Sequence, residues 1–471
     1  MEPVDGGNDA TLREALINRL KGQGVIHTRE VEEALRAVPR HLFVPEVDVE
    51  TAYSDAYVVT KWKDGQAISS SSQPHIMAMM LEMLDLRPGQ RVLEIGAGTG
   101  YNAALMAHIV GESGRVVTID LDEDIVEGAR KHLSDAGVEN VQVVCNDGGL
   151  GWEEAMPYDR VILTVGSFTI ASAWYEQLRA GGRLLLPFCV TAFPTEVVMM
   201  PDQWLLALDK KDEYLESVAL CPCFFMPLRG AFAASPVQVF TLGLDTGITC
   251  SSNDDIDTDM AYAALNSPAQ SEETGVSLAF HELTGLRLWL ALREPHYCEL
   301  YVKGDLAQSS SIPSLTGRGG SPIATVGCYE QNTWSLLVSV PSSGSGKGMV
   351  LTASGEKVYS PNPKRSNGNA QGIDIASSAG DSQRPFNVTI RSFGPENASA
   401  QHLKEQVKAW ERAGRPFVWR YDGTMEHVQV RVYPSVTGYE PQDSELVITR
   451  GEMQIVFGGH KGQDGGSNVH R

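Results

Sequence analysis

The stretch Glu94-Ile95-Gly96-Ala97-Gly98-Thr99-Gly100 is the part of the sequence best suited to hold a ligand. It follows the apolar run RVLEI and precedes YNAALMAHIV, so it reads as the turn from a strand into a helix. Glycines there let the backbone come close to a ligand, and the N-terminus of the helix faces it. A G-x-G-x-G turn of this kind also fits a dinucleotide. Three carboxylates argue for another cofactor. Glu94 stands two residues before the first glycine, where it can balance the amino group of a methionine moiety. Asp120 ends the next strand, RVVTID, where a carboxylate can accept both ribose hydroxyls. Asp147 ends a third strand, in NDGG, within reach of an adenine edge. One such acid alone fits a strand-end cap equally well. Three in sheet order argue against caps alone and away from a dinucleotide.

These residues need a parallel sheet to hold them. RVLEI, RVVTID, VQVVCND, DRVILTV and RLLLPF read as buried strands separated by helices, which implies an α/β sheet covered on both faces. Upstream, residues 10–21 form one helix, and a second runs from the cap Thr28 to Val38 before Pro39. Residues from Glu46 to Ser72 read as irregular, and Gln203 to Leu228 as closing strands. Past Gly230 the texture changes. VQVFTLGL, GLRLWLAL, TWSLLVSV, FNVTIRSF, VQVRVYPS and MQIVFG read as strands. One helix sits among them, capped by Ser399, with Leu403, Val407 and Trp410 on one stripe. Residues 342–385 read as a mobile loop and the tail from Gly458 as disordered. The expected organisation is N-terminal helices and substrate loop over 1–85, a cofactor domain over 86–230, and an α+β domain over 231–471.

With AVPRHLFVP, the glycine loop and GYNAAL, NDGGLGW and LRAGGRLLLP, residues 10–230 resemble the protein L-isoaspartyl methyltransferases. The resemblance implies a Rossmann-like class I fold and S-adenosylmethionine held by Glu94, Gly96, Gly98, Gly100, Asp120 and Asp147. In that family a Thr-x-Ser-x-Pro-His-like loop presents hydroxyls to the carboxylate being methylated. Here the loop reads GQAISSSSQPHIMAMM. Aligned on Ser72-Gln73-Pro74-His75, Ser72 takes the place of the active serine and Ser70 that of the threonine. Aligned on GQAIS, Ser69 becomes the active serine and Ala67 replaces the threonine. Pro74 and the helix after it favour Ser72. Four serines are also ordinary loop material. A carboxylate is already ionised at neutral pH, so His75 has no proton to remove and reads as a loop or packing residue.

The added C-terminal half and the stretch DAYVVTKWKDGQAISSSSQP depart from the repair enzymes. Both resemble the FxLD-system branch found with ribosomal peptide natural products. That implies methylation of an aspartate side chain in a modified, macrocyclic precursor peptide of lanthipeptide or graspetide type, leading to succinimide and isoaspartate. The alternatives are repair of isoaspartyl residues in damaged proteins, and a non-catalytic peptide-binding module. Trp289, Trp334, Trp410 and Trp419 offer a recognition surface or, taken singly, core.

The bulk numbers narrow the partners. A formal charge of −21 repels phosphate backbones, so nucleic acid is excluded as a partner. No apolar run reaches membrane-helix length and the acidic N-terminus has no signal-peptide core, so a cytoplasmic protein is expected. The seven cysteines are scattered, and Cys221 and Cys223 lack the further ligands a zinc site needs.

Overall fold

The computed structural model of the chain describes residues 8–191, 203–234, 237–244, 246–252, 254–279, 282–302, 323–330, 332–341, 386–394, 398–416, 428–440 and 445–458. They fall into two compact units: residues 1–190, 203–234 and 429–458, and residues 191–202, 235–428 and 459–471.

The first unit opens with helices α1 (Asn8–Gly22) and α2 (Arg29–Ala37), the latter capped by Thr28, and the short α3 (Val49–Ala52). Strands β1 (Val58–Lys63) and β2 (Gln66–Ser71) then pair as an antiparallel hairpin, so the segment read as irregular is ordered. Its turn has positive φ at both Asp64 and Gly65, +51° and +79°, the conformation that an Asp-Gly pair favours between strands. Helix α4 (Pro74–Leu84) leads into β3 (Arg91–Ile95), α5 (Tyr101–Val110), β4 (Arg115–Asp120), α6 (Glu123–Asp135), β5 (Val141–Cys145) and β6 (Tyr158–Leu163). Helix α7 (Ser172–Gln177), β7 (Leu178–Cys189), β8 (Gln203–Lys210) and β9 (Leu215–Pro222) follow.

Strands β3 to β7 are parallel, in the order β7-β6-β3-β4-β5. Val92 to Ile95 are buried without alternation, as a parallel strand covered on both faces requires. The chain steps outward from β3 to β5, then returns to β6 on the other side of β3. That reversal opens a crevice at the carboxyl ends of β3 and β6, where open α/β sheets bind ligands.

Among the described residues the second unit holds a seven-stranded antiparallel sheet and three helices. Its elements are β10 (Gln238–Leu242), β11 (Ile248–Ser252), α8 (Thr258–Leu265), β12 (Gln270–Leu278), α9 (Leu283–Arg293), β13 (Tyr297–Val302), β14 (Ile323–Glu330), β15 (Thr333–Pro341), β16 (Phe386–Phe393) and α10 (Ala398–Arg412). GLRLWLAL, expected as a strand, lies in α9. Its Leu286, Leu288 and Leu290 alternate, but Leu286, Trp289 and Leu290 also make a helical stripe, and all are buried. Helix α10 begins at Ala398, one residue before the expected cap, and the Ser399 hydroxyl instead meets Ser335 Oγ at 2.7 Å. Trp289, Trp334 and Trp410 are buried core, the second of the two readings, and offer no recognition surface. Trp419, the 342–385 loop and the tail past Gly458 lie outside the described residues.

Three strands then return to the first sheet: β17 (Gln429–Pro434), β18 (Leu446–Arg450) and β19 (Met453–Gly458), in the order β18-β19-β17-β9. Residues 429–458, expected within a domain over 231–471, thus group with the first unit. Strand periodicity identifies a strand without identifying its sheet. Here side chains decide it: Phe457 packs edge-on against Trp204 at 5.9 Å, and Arg450 donates to the carbonyls of Phe168, Cys189 and Val190 at 2.6, 2.7 and 2.5 Å. No helix among the described residues is long and apolar enough to cross a membrane.

Candidate active site

The glycine turn lies at the mouth of the crevice. Gly96, Gly98 and Gly100 all have positive φ, at +98°, +51° and +84°, which strains any other residue. A Cβ on Gly96 would come within 2.4 Å of Thr164 Oγ1, a hydroxyl that follows β6 and donates to the Gly96 carbonyl at 2.7 Å. Bare backbone therefore lines this turn, and Gly100 starts α5.

Glu94 is fully buried behind the turn. Its Oε1 accepts from Asn102 Nδ2 at 2.7 Å and its Oε2 from Thr118 Oγ1 at 2.6 Å. Burial outweighs these two bonds and pushes its carboxyl up to about 7. Asp120 accepts from the Gly98 N–H at 3.1 Å and from the Leu121 N–H at 2.9 Å, and burial raises its carboxyl also. The acid at the end of β4 thus braces the glycine turn itself. Asp147 accepts from the Gly149 N–H at 2.9 Å and from the Ala231 N–H at 2.6 Å. It caps a short turn and ties down the segment after β9, so the capping role weighed for it is present. A carboxylate has about four lone-pair positions, so acceptor capacity remains.

Two features of this corner are not legible in the sequence. The Phe232 ring lies so close to Gly149 that a Cβ there would meet Phe232 Cδ2 at 2.2 Å, and it tilts against Trp174 at 6.5 Å. It forms an apolar wall beside Asp147. Asp122, just past Asp120, receives Lys61 Nζ from the hairpin at 3.1 Å and Arg229 Nη2 at 2.9 Å, and these cations hold its carboxyl below the usual range. Hairpin and post-β9 segment are thereby tied to the loop that carries Asp120.

The serines sit on β2 and its continuation. Val58 pairs with Ser71, Val59 with Ser70 and Lys61 with Ser69. Ser69 and Ser71 are buried, while Ser70 and Ser72 are half-buried, as strand alternation dictates. Ser69 Oγ accepts from Thr60 Oγ1 at 3.1 Å. The Ser70 carbonyl lies against the cofactor turn, 3.4 Å from where a Gly98 Cβ would stand. Alternation thus separates Ser70 and Ser72 from Ser69, which is engaged inside the hairpin. His75 starts α4: its N–H donates to Asp55 Oδ1 at 2.9 Å. Ser72→Ala is expected to lower turnover by roughly 10- to 100-fold with cofactor affinity unchanged, because positioning is what it removes. Ser69→Ala is expected to cost about 1 kcal/mol of stability and little turnover. Steady-state kinetics and thermal melts on the two variants, with the opposite pattern favouring the Ser69 alignment, check this.

The donor set suits S-adenosylmethionine: a glycine cradle that a Cβ would fill, a buried carboxylate behind it, an acid braced at its side and an apolar wall. Among the described residues no cluster of His, Cys, Asp and Glu is placed to hold a metal. The fold and this fingerprint define a class I S-adenosylmethionine-dependent methyltransferase.

A family model described as protein-L-isoaspartate(D-aspartate) O-methyltransferase matches residues 11–232. Protein-L-isoaspartate O-methyltransferase 2 of Archaeoglobus fulgidus is 38% identical over 227 residues, 48% of this chain and 96% of the relative. The Hyperthermus butylicus enzyme is 37% identical over 232 residues, 47% of this chain and 89% of its own length. A solved protein-L-isoaspartate O-methyltransferase is 22% identical, with 89% of this chain and 96% of that one covered and a TM-score of 0.45. The chain belongs to the protein-L-isoaspartate O-methyltransferase family. It is an enzyme, which sets aside the reading as a non-catalytic module.

Proposed function

We propose that this enzyme methylates the free carboxylate of an isoaspartyl residue in a peptide or protein, with S-adenosylmethionine held by Glu94, Gly96, Gly98, Gly100, Asp120 and Asp147. The observation that carries this reading is the approach of the serine hairpin to the cofactor turn, Ser70 against Gly98. When bound, the cofactor supplies a methyl group that is already electrophilic. The acceptor carboxylate is already ionised, so no general base is needed, and the protein's task is orientation. Ser72 and Ser70 turn one carboxylate oxygen toward the cofactor turn and hold the other. In the ester that results, the following backbone nitrogen attacks the carbonyl, an N–C bond forms, and methanol leaves with the amide proton. The succinimide then takes up water and opens to aspartyl or isoaspartyl peptide.

A second reading is methylation of an aspartate side chain in a macrocyclic ribosomal precursor peptide. Two observations favour it. The unit containing residues 235–428 lies beyond the 11–232 match to the family, and the hairpin sequence VVTKWKDGQAISSSS carries the serines on a full strand pair. In this reading the second unit recognises the peptide. Remote contacts of that kind are how an enzyme selects one carboxylate among many.

The test gives the full-length enzyme labelled cofactor and three peptides: linear aspartyl, linear isoaspartyl and cyclised aspartyl. The expected result is preference for the linear isoaspartyl peptide by at least tenfold in kcat/KM. Preference for the cyclised peptide replaces the first reading with the second, and methylation of none of them sinks both.

A further inference from the structure

Arg40, in the AVPRHLFVP motif, is fully buried, yet among the described residues none of its hydrogen-bond partners is a carboxylate. Its guanidinium donates only to neutral acceptors: Nη1 to the Ala52 carbonyl at 2.7 Å and the Ser54 carbonyl at 3.5 Å, and Nη2 to the carbonyls of Ser72 and Ala56 at 3.1 and 3.2 Å. Nη2 also reaches Ser71 Oγ at 3.5 Å, and Nε has no partner. Burial pulls its pKa down, but a guanidinium keeps its proton in a protein. A buried charge without a counter-charge is costly, and proteins ordinarily pair it. Lys61, by contrast, pairs with Asp122 and Asp124, and Arg229 with Asp122. Asp55, whose field reaches Arg40, already accepts the His75 N–H at 2.9 Å.

We propose that Arg40 is the positioning residue of the acceptor end: it holds the Ser72 carbonyl and the Ser71 hydroxyl, and its charge is balanced by the substrate carboxylate that Ser72 holds. It acts through Ser72, since a fully buried guanidinium does not itself meet a peptide from solvent. In a low-dielectric interior such a charge is felt well beyond hydrogen-bond distance. The enzyme therefore selects an ionised carboxylate over a neutral isostere before any chemistry occurs. This rests on the reading that an aspartyl or isoaspartyl carboxylate is the acceptor.

The test compares binding of an isoaspartyl peptide and the same peptide with that carboxylate as a primary amide, by calorimetry with S-adenosylhomocysteine present. Wild type is expected to favour the carboxylate by at least tenfold. Arg40→Gln is expected to lose most of that ratio while cofactor affinity stays within about threefold, and Arg40→Lys to keep it with lower kcat. A structural role alone would move melting temperature and both peptides equally. Should Arg40→Gln not fold, the wild type still decides: the carbon-13 resonance of the bound, labelled carboxylate is expected to titrate at least one pH unit below the free peptide. An undiminished ratio in Arg40→Gln, or an unshifted titration, overturns the inference while leaving methyl transfer to the isoaspartyl peptide intact. A wild type that methylates no carboxylate peptide overturns the functional reading and this inference with it.

Discussion

Glu94→Gln is expected to make the free protein more stable at neutral and alkaline pH and, at the same time, a poorer binder of S-adenosylmethionine. The carboxyl is fully buried, and burial raises it from an ordinary 4.5 to about 7. Its folded-state pKa is thus above its unfolded value. The stability linked to it is complete below about 4.5 and is lost as pH rises toward and through 7. Above that window the folded protein carries a buried anion at a cost on the order of 3 kcal/mol. Glutamine keeps the shape and can still accept from Asn102 while donating to Thr118 Oγ1, so it removes the charge and not the bonds. Melting curves from pH 5 to 8 are expected to show a gap in favour of the variant that widens with pH. Calorimetry is expected to show cofactor affinity that falls below pH 7 in the wild type and is weak and flat in the variant. A gap that does not change with pH would mean that Glu94 is not the group titrating. Under the proposed function the stored cost has a logic: the cofactor's amino group would bring the missing cation.

Asp120→Ala is expected to weaken cofactor binding by about 2–3 kcal/mol, the scale of hydrogen bonds to a charged acceptor. Two effects add here. Under the proposed function the ribose would lose its acceptor, and the Gly98 N–H loses the carboxylate that braces the turn. Asp120→Asn separates them, because the amide oxygen can still accept from Gly98. It is expected to recover part of the loss. Calorimetry on both variants checks this, and unchanged affinity in Asp120→Ala would remove this acid from the site. Because burial raises its carboxyl, wild-type affinity is also expected to fall on the acid side earlier than for an exposed aspartate.

The parallel sheet, the glycine turn and the places of the three acids were legible because they are local. A glycine turn needs its glycines close together in the chain, here at 96, 98 and 100, and β3, β4 and β5 each carry an acid at or just past the carboxyl end. Order along the chain therefore maps onto order in space, and Glu94, Asp120 and Asp147 could be placed without coordinates. The hairpin was legible in principle. Asp64-Gly65 is a strong turn signal, but Lys and Ser flanks hide the alternation that marks a strand. Its register then separates Ser70 and Ser72 from Ser69, since a period of two sends neighbouring residues to opposite faces.

The remainder was decided by tertiary structure. That β17 to β19 complete the first sheet depends on Trp204 meeting Phe457 across hundreds of residues, and on Arg450 finding three carbonyls. GLRLWLAL carries two periods at once, and only its neighbours choose the helix. Asp122 became a junction because Lys61 and Arg229 converge on it from distant segments, and Arg40 became a buried cation with no ion pair among the described residues because the fold surrounds it with carbonyls. The amino-acid sequence by itself determined the class of chemistry, through a fingerprint whose parts are adjacent in the chain. The three-dimensional fold alone decided which strands share a sheet and which charges are left without partners, because pairing energy and burial depend on distance in space, not along the chain.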